Sequence, residues 1–311
     1  MQVIDLHCDS LYKVVTQNIG LDSDSLEVKL NLNQNDKRLQ NYAIWLPDDI
    51  SDNEAEKLFF KAANALKAEC NRCNIKLLTS TDIPASFNDN KYSALFTVEN
   101  GKALNGKLEN VKKFAEIGVK MITLTWNKKN IIGGGVESEN ASGLTDFGRK
   151  AVCEMEKHNI IVDVSHASEK LFYDVAEIAK RPFVASHSNS KAVTNHKRNL
   201  SDEQFKIILK INGLIGINFH KDFLSNTPNN ANKFDVLRHI EHFLSLGGEN
   251  IICLGSDFDG CDLPKDIKGS EFFAELYETM LKENYKESLI NKIFYNNALN
   301  FYENFDNQRI M

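Results

Sequence analysis

Eight short apolar runs, separated by stretches with helical periodicity, are the feature of this chain that most restricts its fold. Most of the runs are apolar throughout rather than alternating, as expected for strands buried on both faces of a parallel sheet. The runs lie at 3–7, 41–46, 94–99, 120–126, 160–166, 183–187, 214–219 and 251–257. Eight such units in 311 residues predict a (β/α)8 barrel of the TIM type, with a doubly wound open sheet as the alternative.

The segments between the runs carry the signals of amphipathic helices. Ser168 is a candidate N-cap, and Ser201 with Gln204 forms a candidate capping box. Helical patterns also cover 54–69, 233–246, 270–283 and 286–303. Because no internal repeat or linker divides the chain, we expect one domain over residues 1–311.

Charge and hydropathy argue against several classes of function. The chain has 37 Lys and Arg against 43 Asp and Glu, a net charge of −6, and no basic run that would mark a nucleic-acid or anionic membrane surface. The first residues lack the basic start and apolar run of a signal peptide. No apolar stretch approaches the roughly 20 residues that span a bilayer. We therefore expect a soluble cytoplasmic protein with no nucleic-acid partner and no membrane partner.

Among the six cysteines, only Cys70 and Cys73 form a close pair, a C-x-x-C sequence. A structural zinc site of this kind needs a second pair, and none follows at a suitable spacing. A redox motif would stand at a strand-to-helix turn, whereas this pair ends a helical pattern. The sequence therefore predicts two thiols at the end of a helix.

Side chains that bind metal ions stand where several apolar runs end. The first run leads into His7-Cys8-Asp9, in which His7 and Asp9 point the same way because side chains alternate along a strand. The third, fifth, sixth and eighth runs end at Glu99, His166, His187 and Asp257. In a barrel these ends converge at the C-terminal mouth. Their nitrogen and oxygen donors suit Zn²⁺ or a similar divalent ion.

The set of donors is large enough for two ions. Glu99 has two oxygens and can bridge a pair, and two ions roughly 3.5–4 Å apart can share a water molecule and make it a nucleophile near neutral pH. A single histidine at a strand end is more often a hydrogen-bonded core or loop residue than a ligand. The metal interpretation therefore depends on the joint pattern over several strands.

These residues lie in segments that resemble the renal (membrane) dipeptidase family of zinc peptidases, in a bacterial, unanchored form. The matching segments are IDLHCDS, TVENG, GLTDFGRKAV, VDVSHAS, SHSN, KRNLSDEQ and GSDFDG, in family order from residue 3 to about residue 260. The resemblance implies a distorted (β/α)8 barrel with a binuclear zinc site. It also implies the ligands: His7 and Asp9 for the first ion, Glu99 as the bridge, and His166 and His187 for the second.

The resemblance further implies two residues that act on the substrate. Asp257, the first Asp of GSDFDG, would take a proton from the attacking water and pass it to the leaving amine. Arg198 would bind the C-terminal carboxylate of a dipeptide, since a guanidinium can hold a carboxylate through two parallel hydrogen bonds.

Two positions depart from the family pattern. Trp126 stands where the fourth strand usually ends in a substrate-contacting histidine, and an indole can stack and donate one N–H but cannot titrate near neutral pH. The seventh strand often ends in Asn-Phe-Tyr, whereas this chain has Asn218-Phe219-His220. We place Trp126 and His220 among the substrate contacts.

The sequence therefore predicts a zinc-dependent dipeptidase in which a hydroxide bridging two Zn²⁺ hydrolyses the amide bond of a small dipeptide. The family resemblance suggests tolerance of a D-residue at the C-terminal position, and homodimers are common in such families. Trp126 favours one alternative, a related amide hydrolase acting on a lactam or an N-acyl amino acid. Asp257 argues against a metal-binding protein without turnover. A barrel bridged by a carbamylated lysine is disfavoured because the expected strand-end lysine is missing.

Overall fold

Nine parallel strands are present in residues 1–78, 83–138 and 142–307, the parts of the chain that this computed structural model describes. They are β1 (Gln2–Cys8), β2 (Lys37–Trp45), β3 (Lys76–Leu77), β4 (Tyr92–Glu99), β5 (Val119–Thr123), β6 (Ile161–Asp163), β7 (Val184–Ala185), β8 (Leu214–Ile217) and β9 (Ile252–Leu254). Eight of them coincide with the apolar runs. The two-residue β3 is not among the predicted strands.

The sheet closes on itself. Neighbouring strands follow the order β1, β2, β4, β5, β6, β7, β8, β9 and return to β1. β2 pairs with β4 from Arg38 opposite Tyr92 to Trp45 opposite Glu99, and β3 pairs with the first half of β4 beside this ring. The closure confirms the predicted (β/α)8 barrel and excludes the doubly wound open sheet.

Helices follow the strands and surround the barrel. They are α1 (Ser10–Gln17), α2 (Asp52–Arg72), α3 (Ile83–Asp89), α4 (Glu109–Ile117), α5 (Asp146–Lys157), α6 (Glu169–Ile178), α7 (Asp202–Lys210), α8 (Lys221–Leu224), α9 (Lys233–Ser245), α10 (Phe272–Lys282), α11 (Glu287–Asn291) and α12 (Asn297–Asn307). The hydroxyl of Ser168 accepts a hydrogen bond from the Leu171 amide and begins α6, and Ser201 with Gln204 forms the capping box of α7. Both predicted helix starts are therefore confirmed.

Two groups of buried apolar side chains stabilise the barrel. The larger lies between the strands and the surrounding helices. The second contains at least one residue from each of the eight barrel strands, together with side chains of α3 and α12. A cluster that draws on every strand must lie inside the ring, so α12 contributes to closing the end of the barrel opposite the mouth.

The strands that lead to His166, His187 and Asp257 end earlier than the apolar runs predict, because the backbone turns. β6, β7 and β9 stop two or three residues before His166, His187 and Asp257. His166 and Asp257 have φ of 64° and 63°, in the left-handed region that few residues other than glycine adopt. These three side chains are therefore presented from tight turns above the strands.

The Cys70–Cys73 pair ends a helix, as predicted. Cys70 lies in the last turn of α2 and Cys73 follows as its C-cap. Both thiols are free.

The helices of the described residues include none that is both long and apolar enough to cross a membrane.

Candidate metal centre and active site

The five predicted metal ligands meet at the C-terminal mouth of the barrel. Nε2 of His7 lies 3.4 Å from Oδ2 of Asp9 and 3.7 Å from Oε2 of Glu99. The other oxygen of Glu99, Oε1, lies 2.8 Å from Nε2 of His166 and 3.4 Å from Nε2 of His187. Glu99 thus stands between two groups of donors, with one carboxylate oxygen turned to each.

The arrangement fits divalent metal ions. Bonds of about 2.0–2.2 Å at tetrahedral angles separate neighbouring donor atoms by roughly 3.3–3.6 Å, close to the spacings found here. Nε2 of His7, Nε2 of His187 and Oδ1 of Asp9 are buried and have no hydrogen-bond partner among the residues that the structure describes. Buried polar atoms without partners are rare because they lose the hydrogen bonds of water. These atoms are therefore available to bind an ion.

A chain of hydrogen bonds fixes the ring of His187. Oγ of Ser186 donates to Oδ2 of Asp163 at 2.6 Å and lies 2.8 Å from Nδ1 of His187. Because the hydroxyl gives its proton to the carboxylate, it accepts from Nδ1–H of the imidazole. Nε2 then carries the lone pair and faces Glu99, which is the tautomer that a metal ion requires.

His166 is held in a similar way by an amide. Its Nδ1 lies 2.9 Å from Oδ1 of Asn127, an oxygen that can only accept, so Nδ1 carries the proton. The lone pair of Nε2 again faces Glu99. Asn127 follows β5 and is not among the predicted site residues.

Asp257 borders the same centre from the loop after β9. Its Oδ1 lies 3.8 Å from Nε2 of His7, and its Oδ2 accepts a hydrogen bond of 2.9 Å from Nδ2 of Asn218. Gly260 allows this loop to approach the centre, because a Cβ at that position would lie 1.9 Å from Oδ2 of Asp9. One carboxylate oxygen of Asp257 is thus anchored, and the other faces the metal ligands.

Burial and close negative charge shift the pKa values of the centre. Burial raises the pKa of Glu99 well above its usual range, and the charge of Asp9 adds to this. Burial also raises the pKa of Asp257, to about 7, against the opposing effect of His7. Burial works against protonation of His7, but Asp9 and Glu99 together raise its pKa to about 10. The field that attracts a proton to His7 would also attract a metal cation.

Two imidazoles are kept neutral. Burial lowers the pKa of His166 and of His187 well below the usual range, and the nearby charge of Arg198 lowers both further. Neutral imidazole is the form that binds a metal ion.

A cavity of about 450 Å³ opens above the centre. Trp126, one of the two expected substrate contacts, lines it, and its ring lies 6.1 Å from that of His166. Trp45 and Tyr12 also line it, although neither is among the predicted site residues. Trp45 is the last residue of β2 and could have been found by applying the strand-end rule to aromatic as well as metal-binding side chains.

Arg198 lines the cavity with a guanidinium that is buried but poorly satisfied. The side chain is 6% exposed, and its only hydrogen bond within the described chain runs from one terminal nitrogen to the carbonyl of His187, at 3.3 Å. Nε is buried without a partner, and no carboxylate forms an ion pair with the group in this part of the chain. A buried cation of this kind is available to bind an anionic group of a ligand.

His220, the other expected substrate contact, also lines the cavity. Its Nδ1 accepts a hydrogen bond from the Asp222 amide and caps α8, and its ring stacks on Phe223 with centroids 4.3 Å apart. His196 packs on the same phenylalanine at 4.6 Å and borders the cavity, but it is not among the predicted residues. The capping bond occupies Nδ1 and leaves the other ring nitrogen of His220 for a ligand.

Comparison with known proteins relates the chain to one family along nearly its whole length. The profile of the membrane dipeptidases, peptidase family M19, matches residues 1–309. An uncharacterised protein from the pqqA 5′ region of Klebsiella pneumoniae is 30% identical over 240 residues, which is 73% of this chain and 87% of that protein.

Two solved structures share the fold. A Rhodobacter sphaeroides metallopeptidase, liganded with a phosphinate mimic of the dipeptide L-Ala-D-Ala, superposes with a TM-score of 0.89 at 25% identity, covering 97% of this chain and 99% of that one. Dipeptidase AC, a metallopeptidase of family M19, superposes with a TM-score of 0.86 at 26% identity over 97% of this chain and 98% of its own.

Proposed function

This chain belongs to the membrane dipeptidase family, peptidase family M19, and we propose that, as a metal-dependent dipeptidase, it hydrolyses free dipeptides with two divalent ions at the barrel mouth. One observation carries the proposal: the donors around Glu99 and the guanidinium of Arg198, which forms no ion pair with the described residues, line a single cavity. The first suits metal ions that act on an amide bond, and the second suits the carboxylate at the end of a dipeptide.

The metal ligands are divided between two ions in this proposal. His7 and Asp9 would hold the first ion, and His166 and His187 would hold the second. Each of the two oxygens of Glu99 would be a ligand of one ion. Imidazole and carboxylate donors in small number favour zinc. A pair of such ions supplies, when bound, a water activated as a nucleophile near neutral pH and a polarised substrate carbonyl.

Asp257 would transfer the proton that the reaction releases. Its free oxygen faces the centre, whereas Asn218 holds the other. Burial raises the pKa of Asp257 above the usual carboxyl range, in the direction that a general base that later acts as an acid requires. Asp257 would take the proton of the attacking water and return it to the amine that leaves.

Arg198 would set the length of the substrate. A guanidinium that binds the C-terminal carboxylate places the preceding amide bond over the centre. A longer peptide would put an uncharged amide carbonyl at this position and leave the buried cation unpaired. We therefore propose specificity for free dipeptides.

Tolerance of a D-residue at the C-terminal position is part of the proposal. The Rhodobacter sphaeroides relative is liganded with a mimic of L-Ala-D-Ala, whose second residue has the D configuration. A carboxylate bound by Arg198 places few demands on the other substituents of the same carbon, so both configurations are expected to be accepted here.

A second candidate keeps the centre but changes the substrate. Trp126 replaces the histidine usual in the family, so the contact made there with a dipeptide differs. A lactam that bears a carboxylate substituent, or an N-acyl amino acid, also combines an amide bond with a free carboxylate and would use Arg198 in the same way. This alternative is favoured only if such compounds are hydrolysed faster than dipeptides.

The test is a substrate screen on purified, metal-loaded protein. L,L- and L,D-dipeptides are compared with a matched tripeptide, a lactam and an N-acyl amino acid, with and without a chelator. We expect chelator-sensitive release of amino acids from dipeptides and little from the tripeptide. In Arg198→Ala the KM for dipeptides should rise at least tenfold, whereas Arg198→Lys should keep part of the affinity. A metal-loaded enzyme that hydrolyses no dipeptide would overturn the proposal.

A further inference from the structure

Three aromatic side chains form a continuous surface on one side of the cavity, here called the aromatic wall and defined as Tyr12, Trp45 and Trp126. The rings of Tyr12 and Trp45 lie 4.8 Å apart, and those of Trp45 and Trp126 lie 4.9 Å apart, both pairs edge to face. All three side chains are half-buried and line the cavity. Edge-to-face packing holds each ring against the next, so the wall is a preformed apolar surface.

The barrel topology places Trp45, the middle ring of the aromatic wall, across the mouth from Arg198. Trp45 ends β2, and the loop after β7 carries Arg198. In the ring of eight strands β2 and β7 are four places apart, which is diametrically opposite. Phe223 and His220 follow β8 and lie on the side of Arg198. A dipeptide whose carboxylate is bound by Arg198 therefore extends its N-terminal residue toward the aromatic wall.

The charged residues that line the cavity do not favour a charged substrate side chain at the aromatic wall. Asp259 is paired with Lys13 at 3.0 Å, and Glu137 is paired with Lys197 at 2.6 Å. These four residues line the cavity, and each charge already has its partner. The remaining carboxylates of the cavity belong to the metal centre and to Asp257. Neither an ammonium nor a carboxylate on the substrate side chain would find a free counter-charge at the rim.

We propose that the aromatic wall binds the side chain of the N-terminal residue and selects dipeptides in which that residue is large and apolar. This inference rests on the proposed function, since it uses Arg198 to orient the substrate. Trp126 is the specificity-determining residue, because its ring packs on that of Trp45 at 4.9 Å and lies 6.1 Å from the ring of the metal ligand His166. The hydrophobic contribution to binding arises only when a side chain of the substrate covers the rings and removes them from water.

The first experiment varies the substrate. Values of kcat/KM are measured for X-Ala dipeptides in which X is Gly, Leu, Phe, norleucine, Lys or Glu, and for the reversed Ala-X series. We expect kcat/KM for Phe-Ala and Leu-Ala to exceed that for Gly-Ala by about tenfold or more, because each of these side chains would bury several carbon atoms against the aromatic wall. Norleucine-Ala should exceed both Lys-Ala and Glu-Ala, which have side chains of similar length but carry charge. Equal values across the X-Ala series, or a preference for Lys or Glu, would overturn the inference.

The second experiment varies the wall. In Trp126→Ala the ratio of Phe-Ala to Gly-Ala should fall about tenfold, and Trp126→Phe should keep part of that ratio. The ratio of Ala-Phe to Ala-Gly should stay within about twofold in both variants, since the C-terminal side chain lies on the opposite side. Phe234→Ala is the matched control, because it removes a 48%-exposed aromatic ring of α9 that does not line the cavity. A change confined to the Ala-X series would show that the substrate is bound in the reverse direction and would overturn the inference.

The two proposals fail in different ways. If the metal-loaded wild-type protein hydrolyses dipeptides but the X-Ala series shows no preference, only the inference about the aromatic wall is wrong. If it hydrolyses none, the proposed function is wrong and the inference falls with it. Metal content and the thermal unfolding midpoint of each variant are measured alongside, so that a misfolded protein is not taken for a change in specificity.

Discussion

Asp257 combines three properties that are rarely found together in one residue. Its backbone is left-handed, its side chain is buried, and one of its oxygens is bound by the amide of Asn218. Non-glycine residues in this backbone region are uncommon and persist where the surroundings hold them in place. The loop therefore presents one carboxylate oxygen in a fixed direction, as proton transfer requires.

Replacing Asp257 by Asn separates this role from a role in metal binding. Asparagine has the same shape and tolerates the left-handed region, so the loop should keep its fold. We expect Asp257→Asn to retain its divalent ions and lose roughly 10²–10⁴-fold in kcat, because an amide cannot take the proton. Metal analysis and steady-state kinetics check both parts. A rate close to wild type would remove Asp257 from proton transfer, and a loss of ions would make it a ligand.

At the scale of elements, two buried carboxylates connect neighbouring strands in the same manner. Asp5 of β1 accepts hydrogen bonds from the amide and hydroxyl of Ser256, after β9. Asp163 of β6 accepts the same two bonds from Ser186, after β7. In each case the residue that follows the serine belongs to the site: Asp257 in the first and His187 in the second. The two Asp–Ser pairs therefore set the direction of the turns that carry the chemistry.

The two serines should have different effects when they are removed. Ser186→Ala takes away the acceptor of Nδ1 of His187, so we expect divalent-ion affinity to fall about 10–100-fold. Ser256→Ala loosens the turn before Asp257, so we expect kcat to fall by more than metal affinity does. Competition with a fluorescent chelator and steady-state kinetics measure the two quantities, and each variant is the control of the other. The same pattern in both variants would contradict this assignment.

His239 of α9 connects two loops of the mouth. Its Nδ1 accepts a hydrogen bond of 3.0 Å from the amide of Ser190, and its Nε2 donates to the carbonyl of Leu224 at 3.1 Å. The first loop leads to Arg198, and the second carries His220. Since the ring accepts at one nitrogen and donates at the other, it is neutral. Burial lowers its pKa to about 4.

This histidine makes stability depend on pH. Its folded pKa of about 4 lies below the usual 6.5, so protonation favours the unfolded chain. The contribution of neutral His239 to the free energy of unfolding is fully present above pH 6.5. It is lost as the pH falls toward 4, by roughly 3 kcal/mol in total. Urea unfolding at pH 7 and pH 5 measures the loss. We expect the free energy of unfolding to change less between pH 7 and pH 5 in His239→Asn than in wild type. An equal change in both proteins would exclude His239 as its source.

At the scale of the whole molecule, the net charge of −6 is unevenly distributed. Three buried carboxylates, those of Asp9, Glu99 and Asp257, meet at one end of the barrel. Their mutual repulsion opposes folding, and bound cations would relieve it. The metal centre is therefore expected to contribute to global stability as well as to catalysis.

We expect divalent ions to raise the thermal unfolding midpoint by several degrees and a chelator to reverse this. An ion at 100 times its dissociation constant stabilises the folded state by about 2.7 kcal/mol. Two variants distinguish the mouth from a partly exposed group formed by Asp22, Glu69 and Cys73, which also has ligand-like spacing. His187→Ala should lose most of the metal-dependent shift, whereas Glu69→Gln should keep it. The reverse result would move the metal site out of the barrel.

Several features could be predicted from the sequence because they depend on local patterns. The eight barrel strands, the helix starts at Ser168 and Ser201 and the strand-end positions of the metal-binding residues all follow from periodicity and capping. The positions of Asn127 and Asn218 in the site could not, because each acts through a partner that is remote in the sequence. Their partners His166 and Asp257 each lie 39 residues away along the chain.

The sequence by itself determined that the chain forms a parallel sheet, because uniformly apolar strands must be covered on both faces, and eight such strands favoured a barrel over an open sheet. It also determined which donors stand at the strand ends. Only the tertiary structure decided how they are used: the turns after β6, β7 and β9 aim the side chains, the Asp–Ser pairs set those turns, and the closed ring places the aromatic wall opposite Arg198. These relations depend on barrel closure, which brings distant segments together in space and leaves no periodic pattern in the sequence.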